Sequence, residues 1–137
     1  EIGFARKVLS VLEKDGINFE HMPSGIDTLS LVIESKYLAG GVLDTLIGQI
    51  KEAVNPDYVR VLEDIALVAT DGHGMTASVG TSARLFTALS QAGVNVRMID
   101  QGSSEINIIV GIDNADYEKC VRAIYFEFFS NAVEADE

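Results

Sequence analysis

Hydrophobic and polar positions along the chain follow two rhythms, one of period two and one of three to four. The clearest period-two stretch is residues 94–110, VNVRMIDQGSSEINIIV. Val94, Val96 and Met98 alternate with Asn95, Arg97 and Ile99. Ile106, Ile108 and Val110 then alternate with Asn107 and Ile109. Such alternation predicts two strands, each buried on at least one face. The polar run Asp100, Gln101, Gly102, Ser103, Ser104 and Glu105 reads as the loop that joins them.

Helical spacing appears on both sides. In residues 4–14 the apolar positions Phe4, Val8, Leu9, Val11 and Leu12 share one face, and Gly16 reads as the stop. Residues 17–22 and 29–33 read as strands around a turn at Pro23, Ser24 and Gly25. A second helix is predicted over 38–54, with Val42, Leu43, Leu46, Ile47, Ile50 and Val54 on one face. Pro56 ends it, because proline cannot continue helical bonding and restricts the residue before it. Residues 58–62 and 65–69 read as short strands. After a two-glycine loop at 70–75, Ser78 or Thr81 caps a helix that runs to Ala92 and stops at Gly93. The last helix covers 116–129, with Tyr117, Cys120, Val121, Ile124, Tyr125 and Phe128 as its stripe. Residues 131–137 read as an acidic tail.

The two halves repeat. Gly16, Ile17, Asn18 and Phe19 align with Gly93, Val94, Asn95 and Val96, 77 positions later. At the same spacing Lys7, Val8 and Leu9 meet Arg84, Leu85 and Phe86, and Leu12 meets Leu89. Beyond the turn the spacing becomes 78, so that Asp27 meets Glu105 and Leu31 meets Ile109. The second unit reads β-α-β-β-α. The first reads the same with most of its opening strand missing, and 58–62 as its closing strand. The expected fold class is therefore α+β: a ferredoxin-like βαββαβ unit, an antiparallel sheet with helices on one face, present twice in tandem. The units would span 1–63 and 64–130. One unit of about 65 residues is marginal alone; a second unit or a second chain would cover its sheet edges.

Composition narrows the function. Ten basic residues against twenty-one acidic give a net charge of −11, which argues against nucleic acid and anionic membrane as partners. No apolar run reaches the roughly 18 residues of a membrane span. The single Cys120 has no internal partner for a disulfide, fits a reducing cytoplasm and reads as packing. The chain starts without Met and without a signal peptide, which predicts a fragment of a longer protein.

No catalytic set stands out. His21 and His73 fall in different units, and there is no CxxC, HExxH or carboxylate-rich metal loop, so no metal or cofactor is expected. The glycine-rich run around His73 lacks the Lys-Ser/Thr ending of a phosphate loop. What recurs is a helix start beside a strand start. Unit one offers Gly3, Phe4 and Ala5 beside Asn18, Phe19 and Glu20; unit two offers residues 75–79 beside Asn95 and Val96. A helix N-terminus has free N–H groups and the positive end of a dipole, suited to a carboxylate. The asparagines donate and accept, and Glu20, Asp27 and Glu105 suit an ammonium. That combination suits an amino acid. On pattern alone the plainer alternative stays open, in which the asparagines satisfy turn backbone and the carboxylates are simply solvated.

The stretches GFARKVLSVLEKDGINFEHMPSGIDTLSLVI and GMTASVGTSARLFTALSQAGVNVRMIDQGSSEINIIVGID resemble the tandem ACT domains at the C-terminal end of aspartokinases. The similarity runs from Gly3 to about Phe129, and GINFEHMPSGID and NVRMIDQGSSEINIIV are its most specific parts. The resemblance implies the βαββαβ fold and a regulatory fragment with no kinase motif of its own. It implies an end-product amino acid as effector, lysine or threonine, and a homodimer through ACT–ACT pairing. It also implies feedback to a separate kinase domain of the same full-length chain, which phosphorylates aspartate with ATP in lysine, threonine and methionine biosynthesis. Carried over, the effector set is Gly3, Phe4, Ala5, Asn18, Phe19, Glu20 and Asp27. The unit-two set is Met75, Ser78, Val79, Asn95, Val96, Gln101 and Glu105. Arg97 stands in unit two where unit one has Glu20. An arginine there disfavours a lysine side chain, so lysine in unit one is the expectation. Threonine as effector, and a dimerisation module without ligand, are the alternatives.

Overall fold

In the computed structural model, which describes residues 2–71, 79–101 and 107–129, both rhythms become regular structure. The order is α1 (Phe4–Lys14), α2 (Val42–Val54), β1 (Ile65–Asp71), α3 (Thr81–Gln91), β2 (Val96–Gln101), β3 (Asn107–Asp113) and α4 (Tyr117–Phe128). Short 3-10 turns cover Ser35–Tyr37 and Asn114–Asp116. The chain divides into two units, Glu1–Val61 and Leu62–Glu137.

The second unit is an antiparallel sheet of order β1-β3-β2. β1 and β2 therefore run the same way on either side of β3, joined through α3, which is the split βαβ arrangement. Alternate β3 side chains, Ile108, Val110 and Ile112, are buried with Leu85 and Leu89 of α3 and Cys120 and Ile124 of α4. The helices thus pack on one face of the sheet, and the architecture is α+β. On the other face Gly111 lets β2 come close: a Cβ there would stand 2.9 Å from the Met98 Cβ.

The first unit keeps α1 and α2 but no extended ladder. Val8, Leu12, Ile17, Leu46 and Val54 form its core, with Phe4, Leu29, Leu31 and Ile33 packed around them. The strands expected at 17–22 and 29–33 form only a hairpin arm with two bridges, His21 to Val32 and Ser24 to Leu29. The strand expected at 58–62 is absent: the segment has no regular structure, and Tyr58, Val61 and Leu62 are exposed. One cause serves both corrections. Unit one has no counterpart of β1 among its described residues, and a two-stranded hairpin alone is marginal.

The expected second helix begins later than 38, at Val42, because Gly40 and Gly41 both adopt left-handed backbone (φ 67° and 83°). Thr81 does not cap α3: the cap is Gly80, Thr81 is the first helical residue, and Ser78 lies outside the described residues. The stops at Gly16 and Gly93 hold in detail. The Gly16 N–H donates to the Glu13 carbonyl (3.1 Å) and the Ile17 N–H to Leu12 (2.9 Å). The Gly93 N–H donates to Ser90 (3.0 Å) and the Val94 N–H to Leu89 (2.9 Å). This paired bonding is the Schellman stop, made twice at the spacing of the repeat. No described helix is long and apolar enough to cross a membrane. The acidic tail, Ile106 and the loops around His73 and Ser103 lie outside the described residues.

Candidate functional site

In unit one the expected residues occupy three places. α1 starts behind Gly3, which is left-handed (φ 83°, ψ 8°) and offers no side-chain cap. The first-turn N–H groups have no intrahelical acceptor. Ala5 is exposed beside them, while Phe4 packs into the core. The arm is the second place. Ile17 is buried, and Asn18, Phe19 and Glu20 lie exposed. The Glu20 N–H donates to the Val32 carbonyl (2.7 Å) and the Val32 N–H to His21 (2.9 Å). The third place is the tip, where the Gly25 N–H donates to the Thr28 carbonyl (2.9 Å) and Asp27 is exposed. Asp27 lies beyond the Ser24–Leu29 bridge and Glu20 beyond the His21–Val32 bridge, so the two carboxylates are at opposite ends of the arm.

Past the second strand segment stands a pair that the sequence pattern does not single out, Glu34 and Lys36. The Lys36 Nζ lies 3.1 Å from the Glu34 Oε2 and 5.0 Å from the centre of the Tyr37 ring. The Lys36 ammonium, and after it the hydrogen bond to Glu20, holds the Glu34 carboxyl below its ordinary range. Glu34 in turn raises Lys36.

In unit two α3 starts behind Gly80 with the same angles as Gly3, φ 83° and ψ 8°. The Arg84 N–H donates to the Gly80 carbonyl at 3.0 Å, as the Lys7 N–H does to Gly3. Gly80 lies 77 positions after Gly3. The structural counterpart of Gly3, Phe4 and Ala5 is therefore Gly80, Thr81 and Ser82; residues 75–79 precede it. Extending the repeat backwards from Leu89 to Gly80 was the available signal. Met75, Ser78 and Glu105 lie outside the described residues. Val79 is fully exposed, Asn95 and Gln101 are exposed, and Val96 packs against the core. Thr70, near the end of β1, is 7 % exposed, and its Oγ1 has no hydrogen-bond partner among the described residues. Arg97, the counterpart of Glu20, pairs with Asp113 (Nη1 to Oδ1, 2.9 Å). Among the described residues no three His, Cys, Asp or Glu side chains are grouped to hold a metal ion.

Comparison with known proteins bears on the fold and the family. A family model for the ACT domain matches residues 68–128. Aspartokinase 3 of Bacillus subtilis is 40 % identical over 133 residues, covering 97 % of this chain and 29 % of the relative. This chain thus spans less than a third of that relative's length. Aspartate kinase from Clostridium acetobutylicum superposes with a TM-score of 0.89 and 54 % identity, over 93 % of this chain and 29 % of that one. The regulatory subunit of aspartate kinase from Thermus thermophilus shares the fold (TM-score 0.77, 24 % identity, 93 % and 84 % covered). Escherichia coli aspartokinase III, in complex with lysine and aspartate, superposes with a TM-score of 0.70 and 25 % identity, over 95 % of this chain and 28 % of that one. With an ACT-domain match on its second unit and aspartokinases aligned along nearly its whole length, the chain belongs to the ACT-domain regulatory segments of the aspartokinase family.

Proposed function

We propose that this chain is the effector sensor of a cytoplasmic aspartate kinase, that it binds lysine at unit one, and that occupancy controls a kinase domain of the same full-length protein. One observation carries the reading: the exposed Glu20 edge of the arm belongs to the same small unit as the uncapped first turn of α1. The N–H groups of that turn suit the carboxylate of an amino acid. Glu20 suits the side-chain ammonium. Gly3, Phe4, Ala5, Asn18 and Phe19 line the approach, and Asp27 reaches a ligand from the tip of a second copy's arm in an ACT–ACT homodimer. The lysine complex of the Escherichia coli relative supports the choice of ligand.

Control works by population shift. Lysine stabilises the arrangement of subunits that it binds better, and kinase activity follows that arrangement. Phosphorylation of aspartate by ATP belongs to the rest of the protein; this chain supplies no reacting group and needs no cofactor. A second reading has its own observation. The buried Thr70 hydroxyl, without a partner among the described residues, favours an effector with a hydroxyl, threonine, at unit two together with Asn95, Gln101 and Glu105.

A thermal-shift series with each proteinogenic amino acid tests both readings. A ligand at 100 times its Kd adds roughly 2.7 kcal/mol to stability. A shift with lysine that is lost in Glu20→Ala is the expected result. A shift with threonine alone moves the site to unit two. No shift in this chain or in the full-length protein leaves a dimerisation module.

A further inference from the structure

We propose that the outer ridge of α4 is an interface between two copies of this chain, packed antiparallel about a twofold axis that passes beside Ala123. The inference is independent of the effector reading of unit one.

α4 is apolar on two faces. Cys120 and Ile124 belong to the core beneath it. Tyr117, Val121, Tyr125 and Phe129 recur every fourth residue and are 49, 40, 61 and 50 % exposed, with Phe126 beside them at 74 %. A helix on the surface of a protein puts polar residues opposite its core stripe, and one that is apolar on all sides is buried on all sides. The other helices obey this rule. α1 exposes Ala5, Arg6, Ser10 and Glu13, and α3 exposes Ser82, Arg84, Thr87 and Ser90. The four exposed rings of α4 leave roughly 450 Å² of aromatic surface in water, enough to mark an interaction site.

Three observations select a second copy as the occupant. The first is symmetry. Positions 117, 121, 125 and 129 form one ridge along the helix, and the ridge is its own complement when reversed. Antiparallel, Tyr117 meets Phe129 of the second copy and Val121 meets Tyr125, so one surface serves both sides of a twofold contact. The second is area. Two such ridges remove about 1,000 Å² from water, the lower bound of a specific interface, which makes the pair weak and dependent on concentration. The third is charge. The chain carries −11, and two copies repel each other over most of their surface. The exposed charges of α4 are Glu118, Lys119 and Arg122, a net positive set. The Tyr125 and Phe129 rings already stack at 5.6 Å with 22° between their planes. Part of the ordering that association demands is thus in place beforehand.

Sedimentation equilibrium of the 137-residue chain and a cross-linking experiment test this together. Self-association is expected, and Tyr125→Glu is expected to weaken it roughly tenfold or more with the far-ultraviolet circular dichroism spectrum intact. For the register, Val121→Cys and Tyr125→Cys proteins are mixed and mildly oxidised, and the products are resolved by mass. The mixed disulfide is expected to exceed both homodimeric ones, because position 121 faces position 125 of the second copy. Glu20→Ala, which alters only the arm, is expected to leave that yield unchanged. The cross-link decides alone if Tyr125→Glu fails to fold. If the chain associates and Tyr125→Glu associates equally well, or the mixed disulfide is not favoured, the proposal is overturned. A chain that stays monomeric at millimolar concentration overturns it too, and leaves the ridge to a different partner.

Discussion

Gly80 bears a load that its neighbours do not share. Its φ of 83° is a conformation that costs an L side chain about 1–2 kcal/mol. A Cβ there would meet nothing within 4 Å, so the cost of Gly80→Ala is conformational alone. The variant is expected to lose about 1 kcal/mol in a urea titration while keeping its fold. Cys120 answers a different question. It is fully buried, and burial, followed by the charge of Asp116, pushes its thiol above the ordinary value of 9.0. The thiolate is the nucleophile, so iodoacetamide at pH 8 is expected to leave native protein unlabelled. Labelling should rise abruptly across the unfolding transition, read by mass spectrometry. The exchange of Glu20 for Arg97 is legible in the sequence because the repeat aligns the two.

Helices were the legible elements, since a helix satisfies its own backbone and needs only an amphipathic stripe to declare itself. α1 and α4 fall within a residue of the pattern's bounds. Strands are defined by partners, and here the sequence misleads. Residues 17–22 and 58–62 have the composition of strands, yet unit one gives them no full ladder to join. Helix starts were the other blind spot, because a glycine cap bonds nothing through a side chain and leaves no pattern of its own. On the packed faces the energetics are ordinary. Leu85 is fully buried between α3 and the sheet. Leu85→Ala is expected to cost about 2–5 kcal/mol, measured by chemical denaturation followed through circular dichroism.

The two units carry the same plan at different degrees of completion. Unit two has a three-stranded sheet with β3 at its centre; unit one has two bridges and a pair of helices. Hydrogen exchange is expected to protect the β3 amides most strongly and those of the arm least. Lysine, if it binds at Glu20 as proposed, should slow the arm selectively. The fold was largely legible at this scale, as was the repeat, while the full composition of the site was not. The two-bridge arm also has a consequence for the cell. A ligand that fixes the arm must first meet the entropy of ordering it, and that cost lowers apparent affinity without touching a single ligand contact. Substitutions that stiffen or loosen the turn at Gly25 and Thr28 would move the concentration of half-response while leaving ligand choice unaltered. If the proposed sensor role holds, the arm is thus a place where selection can tune its response without altering a ligand contact.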